Sequence, residues 1–385
     1  MPTNVTGEYM AAEEEYRIAS NRKEKLAALQ KMFQTVPKHK GTEKLRLQIR
    51  RKMAKMRGEI EAAEAKKGGG PSFNVKKEGA AQVALVGFPS VGKSLILTKL
   101  TNAYVVVGSY DFTTTMPTPG MLLYNDIQIQ MVEVPGLIEG ASEGKGFGTK
   151  LMSAIRVADA CVFIVDLSGD ILTQMRVLLN ELEKSNIKIN KKRKDVEIKR
   201  LSTGGIEVRG ARLFAGSGAD IRAFLTEERI HNALVVFKEP ATIEEFEECL
   251  NISLTYLPAF IIANKMDIPG AEEALALLRK NYPQFKIIPL SAVNETDLGE
   301  MKREIYHILD IIRIFTKTPG EEPAYPPIAI ARGSSVIEVA KKVHKQFARD
   351  FKYARTWGKS VKYRGQRVGG NHILEDGDIV EIHIK

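Results

Sequence analysis

Eight residues, Gly87-Phe88-Pro89-Ser90-Val91-Gly92-Lys93-Ser94, constrain this chain more than any others. They follow the apolar run Val83–Val86 and open a helical pattern over 93–103. A G-x-x-x-x-G-K-S loop between a strand and a helix has a specific physical use. Its glycines let the backbone turn tightly, so that successive N–H groups converge on one point. The helix N-terminus adds positive potential there. Such a site suits a polyphosphate, with the Lys93 ammonium reaching the β- and γ-phosphates and the Ser94 hydroxyl ligating Mg²⁺. A glycine turn can carry the same letters by chance, but seldom between a strand and a helix.

The rest of the chain supplies the sheet that such a loop requires. From Gln82 onward, the apolar runs Val83–Val86, Ile127–Val134, Ala160–Asp166, Ala259–Asn264 and Lys286–Leu290 alternate with helical patterns. These patterns cover 93–103, 147–158, 171–184, 271–281 and 296–315. The alternation predicts an α/β domain with a largely parallel sheet. One connection breaks the rhythm: 185–258 is 74 residues long, where about 2–6 is ordinary. It opens with the basic run Lys188–Arg200 and contains strand-like Gly205–Val208 and helix-like Ile221–Phe224 and Ile243–Leu250. Most of it reads as an inserted α+β subdomain.

Two helical stretches, 8–34 and 42–66, precede the sheet. Leu45, Ile49, Met53, Met56 and Ile60 form an apolar stripe at helical spacing. A proline-rich linker begins at Thr318, followed by strand, helix and strand patterns at Ile328–Ala331, Val336–Lys345, Tyr353–Thr356, Ser360–Tyr363 and Ile379–Ile384, the order of a β-grasp fold. The boundaries are 1–70 for the helical region, 80–184 and 251–317 for the two parts of the nucleotide domain, 185–250 for the insert and 318–385 for the tail domain.

Asn264-Lys265-Met266-Asp267 follows an apolar strand and selects the base. The Asp267 carboxylate would accept from guanine N1–H and the exocyclic amine, whereas adenine offers only an acceptor at N1. Unpaired buried polar groups reject a wrong base strongly. Asn264 would hold the loop and base edge, and the Lys265 stem would cover the ring. Ser291-Ala292-Val293 follows the next strand and points the Ala292 N–H at guanine O6. Two segments would sense the γ-phosphate. One is Phe112-Thr113-Thr114-Thr115, with a hydroxyl for Mg²⁺; the other is Glu133-Val134-Pro135-Gly136, with the Gly136 N–H on the phosphate. A glycine-bearing stretch, Gly140–Gly148, follows and reads as a switch ordered by GTP.

These motifs resemble the Obg-related GTPases. With the Lys44–Arg57 helix, the insert and the tail Leu374-Glu375-Asp376-Gly377-Asp378-Ile379-Val380-Glu381-Ile382, the chain resembles the developmentally regulated GTP-binding (DRG) proteins over nearly its whole length. The resemblance implies a P-loop GTPase domain, an insert like the second domain of ribosomal small-subunit protein five, and a C-terminal TGS domain. It implies GTP and GDP as ligands with Mg²⁺, a translation-linked role on the ribosome, and a dedicated stabilising partner protein. It makes Thr114 the Mg²⁺ threonine beside Ser94, and Lys93, Thr114 and Gly136 the catalytic set. Glu133 stands where the family usually has Asp, its extra methylene reaching the Mg²⁺ shell through water. Leu137 stands where many GTPases place a water-orienting Gln, which implies slow hydrolysis or outside help. Some relatives hold K⁺ with an Asn in the phosphate loop; Ser90 occupies that position here and leaves K⁺ assistance open.

Charge bears on partners. Lys and Arg number 57 against 47 Asp and Glu, a surplus of ten. Residues 38–67 carry eleven basic and four acidic residues, and 188–200 carry seven and two, so the rest of the chain is slightly acidic. Concentrated positive charge suits a phosphate backbone, and the reading assigns these segments to ribosomal RNA, with no DNA expected. Two isolated cysteines exclude a disulfide framework or thiolate zinc cluster. No apolar run is long enough to cross a bilayer, and the expected location is cytoplasmic, with no membrane partner. Three functions compete: a GTP-hydrolysing switch, which leads; an RNA- or ribosome-binding protein that uses GTP mainly as a structural ligand, which Leu137 keeps open; and a metabolic P-loop kinase, which Asn264–Asp267 disfavours.

Overall fold

Every residue of β1 (Ala81–Val86) is buried, as a strand covered on both faces must be. The same holds for β10 (Ala259–Asn264) and all but the last residue of β4 (Ala160–Asp166). In the computed structural model these three lie at the centre of a six-stranded sheet with β2 (Thr118–Tyr124), β3 (Ile127–Glu133) and β11 (Ile287–Leu290), in the order β11-β10-β4-β1-β3-β2. All neighbours are parallel except β2, which returns antiparallel along β3. The structure describes residues 7–19, 22–37, 42, 45–56, 75–101, 116–137, 140, 147–251, 253–294 and 298–384.

Helices cover both faces. Leu151 and Ile155 of α5 (Phe147–Arg156), Met175 and Leu178 of α6 (Ile171–Lys184) and Leu275 and Leu278 of α9 (Ala271–Asn281) join Ala84, Phe163 and Ile261 in one cluster. Ile96 and Leu97 of α4 (Lys93–Leu100) and Met301 and Ile305 of α10 (Leu298–Ile308) join Leu85, Ile164 and Ile262 in the other. Alternate residues of each strand thus serve opposite cores. Cys161 lies fully buried among them, its thiol pushed up to about 12 by desolvation.

The long connection after α6 is a subdomain with its own core. β6 (Val196–Arg200), β8 (Ala233–Phe237) and β7 (Ile206–Arg209) form a three-stranded sheet in that order. It packs α7 (Gly218–Glu227) and α8 (Ile243–Leu250) through Phe214, Ile221, Leu225, Phe237 and Phe246. Both helices begin with reciprocal capping boxes, Ser217 with Asp220 and Thr242 with Glu245. A short parallel pair, β5 (Ile187–Ile189) with β9 (Thr255–Leu257), joins it to the main sheet.

The last sheet has the order β13-β12-β16-β14-β15, with β12 (Ile311–Lys317), β13 (Ile328–Ala331), β14 (Phe351–Trp357), β15 (Gln366–Val368) and β16 (Ile379–Ile384). α11 (Val336–Val343) covers one face, and the short α12 (Lys345–Arg349) follows it. The structure corrects the sequence reading here. The helix expected over 296–315 stops at Ile308, Asp310 turns left-handed (φ 45), and 311–317 becomes a strand. This sheet therefore starts at Ile311 rather than at Thr318. The strand expected at Ser360–Tyr363 is instead β15, a few residues later. β2 was not expected at all.

Met1–Ser72 forms a separate compact unit from Phe73–Lys385. Its first helical stretch divides into α1 (Gly7–Ile18) and α2 (Arg22–Thr35), and α3 covers 45–56. Ile49 packs with Tyr9, Leu29 and Met32. The guanidinium groups of Arg46 and Arg50 lie over the Phe33 ring at 4.6 and 5.3 Å, so part of the basic face packs on an aromatic side chain.

Candidate nucleotide site

The phosphate loop runs from the end of β1 to the start of α4. Gly92 is left-handed (φ 97), and a Cβ there would come within 2.4 Å of Asn264 Nδ2. Only glycine fits such backbone with such a neighbour. Lys93 is 5% exposed, and its ammonium donates to the carbonyl oxygens of Phe88 at 2.7 Å and Gly87 at 3.2 Å. Burial lowers its pKa to about 8, against an opposing pull from Glu133. A buried cation beside carbonyl groups is well placed to gain from an anion.

Ser94 donates from Oγ to Glu133 Oε1 at 2.6 Å. The carboxylate is thus in direct contact with the hydroxyl, and the longer side chain needs no water to reach it. Two hard oxygen donors so placed, at the mouth of the loop, fit Mg²⁺. Past Glu133 the chain stays locked to the sheet. Val134 N–H donates to Leu85 O at 3.1 Å and Leu137 N–H to Gly87 O at 3.0 Å. A Cβ on Gly136 would meet the Pro89 backbone nitrogen at 2.7 Å. The Leu137 side chain is fully buried in the apolar cluster with Leu151 and Ile155. Phe112, Thr113, Thr114 and Thr115 lie outside the described residues.

The base loops converge from β10 and β11. Asn264, 2% exposed, donates from Nδ2 to Val91 O at 2.8 Å and accepts at Oδ1 from Ala292 N–H at 3.0 Å. One side chain therefore joins three loops. The Ala292 N–H, expected to face guanine O6, donates to the Asn264 side chain. Asp267 accepts from Ser291 Oγ at 2.5 Å, while Met266 N–H bonds Leu290 O at 3.1 Å. Lys265, left-handed at φ 70, puts its ammonium 2.5 Å from Asp166 Oδ2. Val293 is 68% exposed.

Asp166 and Gln174 also lie at this candidate site, and the motifs do not point to them. Asp166 ends β4 directly opposite Asn264. Gln174 brackets its backbone, accepting from Asp166 N–H and donating to Asp166 O, each at 2.9 Å. Burial would raise the Asp166 pKa, but hydrogen bonds from Lys265 and Ser168 outweigh it and hold the carboxyl below its usual range. The usable signal was the polar Asp ending an apolar strand parallel to the one that ends in Asn264.

Comparison with known proteins decides the family. Residues 82–201 match the model described as 50S ribosome-binding GTPase, 203–311 the C-terminal region of that domain, and 312–384 the TGS domain. An uncharacterized GTP-binding protein of Methanocaldococcus jannaschii is 40% identical across 99% of this chain and 95% of its own. Developmentally-regulated GTP-binding protein 1 of Xenopus laevis is 32% identical, covering 87% of this chain and 91% of its own. The chain belongs to the DRG family of GTP-binding proteins. Ribosome-interacting GTPase 1 of Saccharomyces cerevisiae is a further relative, 35% identical over 93% of this chain and 98% of its own. In this DRG-family chain, the phosphate loop and Glu133–Gly136 fall in the first matched segment, and both base loops in the second. The TGS match starts one residue after β12 begins. Among the described residues, no helix is long and apolar enough to cross a membrane.

Proposed function

We propose that this protein is a guanine-nucleotide switch that hydrolyses GTP to GDP and phosphate and acts at the ribosome. The observation that carries this reading is the Asn264 side chain, which holds the phosphate loop at Val91 and the third loop at Ala292. That bridge sets one spacing between the polyphosphate cradle and the base loops, as a single nucleotide requires. Asp267, oriented by Ser291, would accept from guanine N1–H and its exocyclic amine. Lys265, braced by Asp166, would lay its stem along the base.

Hydrolysis is in-line attack of water on the γ-phosphate, and the chain's part in it is positioning and charge. Lys93 would leave its carbonyl partners for the β- and γ-phosphate oxygens, offsetting charge that builds in the transition state. Gly136, held against Pro89, would offer its N–H to the γ-phosphate. Ser94 and Thr114, with Glu133 behind Ser94, would hold Mg²⁺, which neutralises phosphate charge when bound. Leu137 is packed into the core and has no proton to give or take, so unassisted turnover is slow. Ser90 in the phosphate loop allows K⁺ to be tested by replacing it with Na⁺.

The names of relatives support the ribosomal partner, as do the basic residues Lys191, Lys192, Lys199 and Arg200, exposed on and before β6. Contact through these and through α3 would release counterions and weaken steeply with salt. Asp267→Asn tests the nucleotide assignment: GTP affinity should fall by about 100-fold or more, with xanthine nucleotide gaining. Unchanged GTP affinity would refute it. Co-sedimentation with ribosomes should depend on salt and on whether GTP or GDP is bound; insensitivity to both would refute the partner.

A further inference from the structure

The insert leaves the main domain just after α6 and returns just before β10, and the two crossings are built as one stalk. β5 and β9 pair in parallel, Ile187 with Thr255 and Ile189 with Leu257. Thr255 N–H bonds Asn186 O at 3.0 Å. The Asn190 side chain accepts from Ala259 N–H at 2.7 Å and donates to Ala259 O at 2.9 Å. From there the chain runs directly through β10 into Asn264.

Two charged side chains tie this stalk to the segment after Gly136. Arg156, the last residue of α5, donates from one guanidinium nitrogen to Ser253 O at 3.2 Å and from the other to Ser185 O. A single planar fork thereby spans the outgoing and the returning crossing, with a separate nitrogen for each. At the other end of that segment, Gly140 N–H donates to Glu181 Oε1 at 3.1 Å. Glu181 lies in the last turn of α6, its side chain fully buried, with the Lys184 ammonium 3.6 Å away. Burying a carboxylate is costly unless such partners meet it. Gly140 is four residues beyond Gly136, whose backbone is wedged against Pro89 of the phosphate loop.

We infer that Arg156 and Glu181 are positioning residues that couple the γ-phosphate side of the site to the stalk of the insert. The inference rests on the nucleotide-switch reading above. A displacement at Gly136 and Gly140 is passed through Glu181 to the end of α6 and through Arg156 to both crossings. The insert is then the output arm of the switch. By reciprocity, a polyanion held on its basic strand changes the affinity for GTP by the same factor that GTP changes polyanion affinity.

The test is amide hydrogen exchange at 187–189 and 255–257 in the full chain, loaded with GDP or with a non-hydrolysable GTP analogue. In the wild type, stalk exchange should differ between the two states by about fivefold or more. Arg156→Gln should erase the difference while nucleotide affinity stays unchanged, since the carbonyls that Arg156 holds at Ser185 and Ser253 belong to the stalk. Arg156→Lys, the milder change, keeps the charge but loses the two-nitrogen fork, and should at least halve the difference. Should the glutamine variant fold poorly, the lysine variant decides. Glu181→Gln retains an acceptor for Gly140 and should keep most of the difference, whereas Glu181→Ala should lose it. Equal exchange in both states of the wild type, or a difference that survives both Arg156 changes, overturns the inference. Failure to load guanine nucleotide would appear earlier, at the binding step, and would count against the switch reading instead.

Discussion

The six-stranded sheet and the TGS sheet solve burial in opposite ways. β1 and β10 are buried at every position because helices lie on both faces. β14 alternates instead: Ala354 and Thr356 are buried, while Tyr353, Arg355 and Trp357 keep exposure. On that open side, Tyr353 stacks on His383 with centroids 4.4 Å apart, and Arg367 lies 4.1 Å from the Tyr353 ring centre. In the first sheet, the polar groups of the candidate site stand at the strand ends, at Asp166, Asn264 and Glu133. In the second they spread over a face. Substitutions should therefore separate function from stability at the ends of the first sheet, and cost modest stability with no nucleotide effect on the face of the second.

The sharpest break of that contrast is Lys93→Met. Removing the buried ammonium should cut GTP turnover by about 10²–10³-fold, while the nucleotide-free protein melts at a higher temperature because a cation that burial disfavours is gone. A lower melting temperature would mean that Lys93 supports the fold. The next effect is a pH dependence. Folding lowers the Lys93 pKa from the ordinary 10.5 to about 8, so the folded, nucleotide-free chain favours the neutral amine. Its stability should rise as pH climbs from about 8 to 10.5. GTP affinity needs the ammonium and should fall over the same range, by up to about tenfold per pH unit. Titration calorimetry across that range should show proton uptake on binding, and Lys93→Met should abolish both slopes. The smallest effect belongs to the open face. Tyr353→Ala should cost about 0.5–1.5 kcal/mol in urea unfolding and leave GTP affinity as it was. A nucleotide effect there would tie the two sheets together.

Local patterns are legible in the sequence. The phosphate loop, Asn264–Asp267 and Ser291–Val293 are contiguous motifs whose backbone requirements are written in their own residues. The fully buried strands were legible as unbroken apolar runs. What escaped depends on partners distant in the chain. Asp166 matters because parallel pairing sets it opposite Asn264. Glu181 and Arg156 look like ordinary solvated residues on amphipathic helices until their backbone partners at Gly140, Ser185 and Ser253 are known. β12 reads as a helix end because its apolar residues continue those of α10, and the left-handed Asp310 that separates them has no strong sequence signal. The bond from Ala292 N–H to the Asn264 side chain is likewise invisible in loop order.

The Asn264 bridge also has a consequence for how the protein is made. Val91 and its latch are 173 residues apart in sequence, and the insert lies between them. At synthesis rates of about 5–20 residues per second, roughly ten to thirty-five seconds separate their emergence. During that interval the phosphate loop and α4 exist without the residues proposed to choose a base. On that assignment, a nascent chain would offer a cradle for polyphosphate before it could discriminate guanine from adenine, and faithful loading would wait until β10 and β11 have joined the sheet.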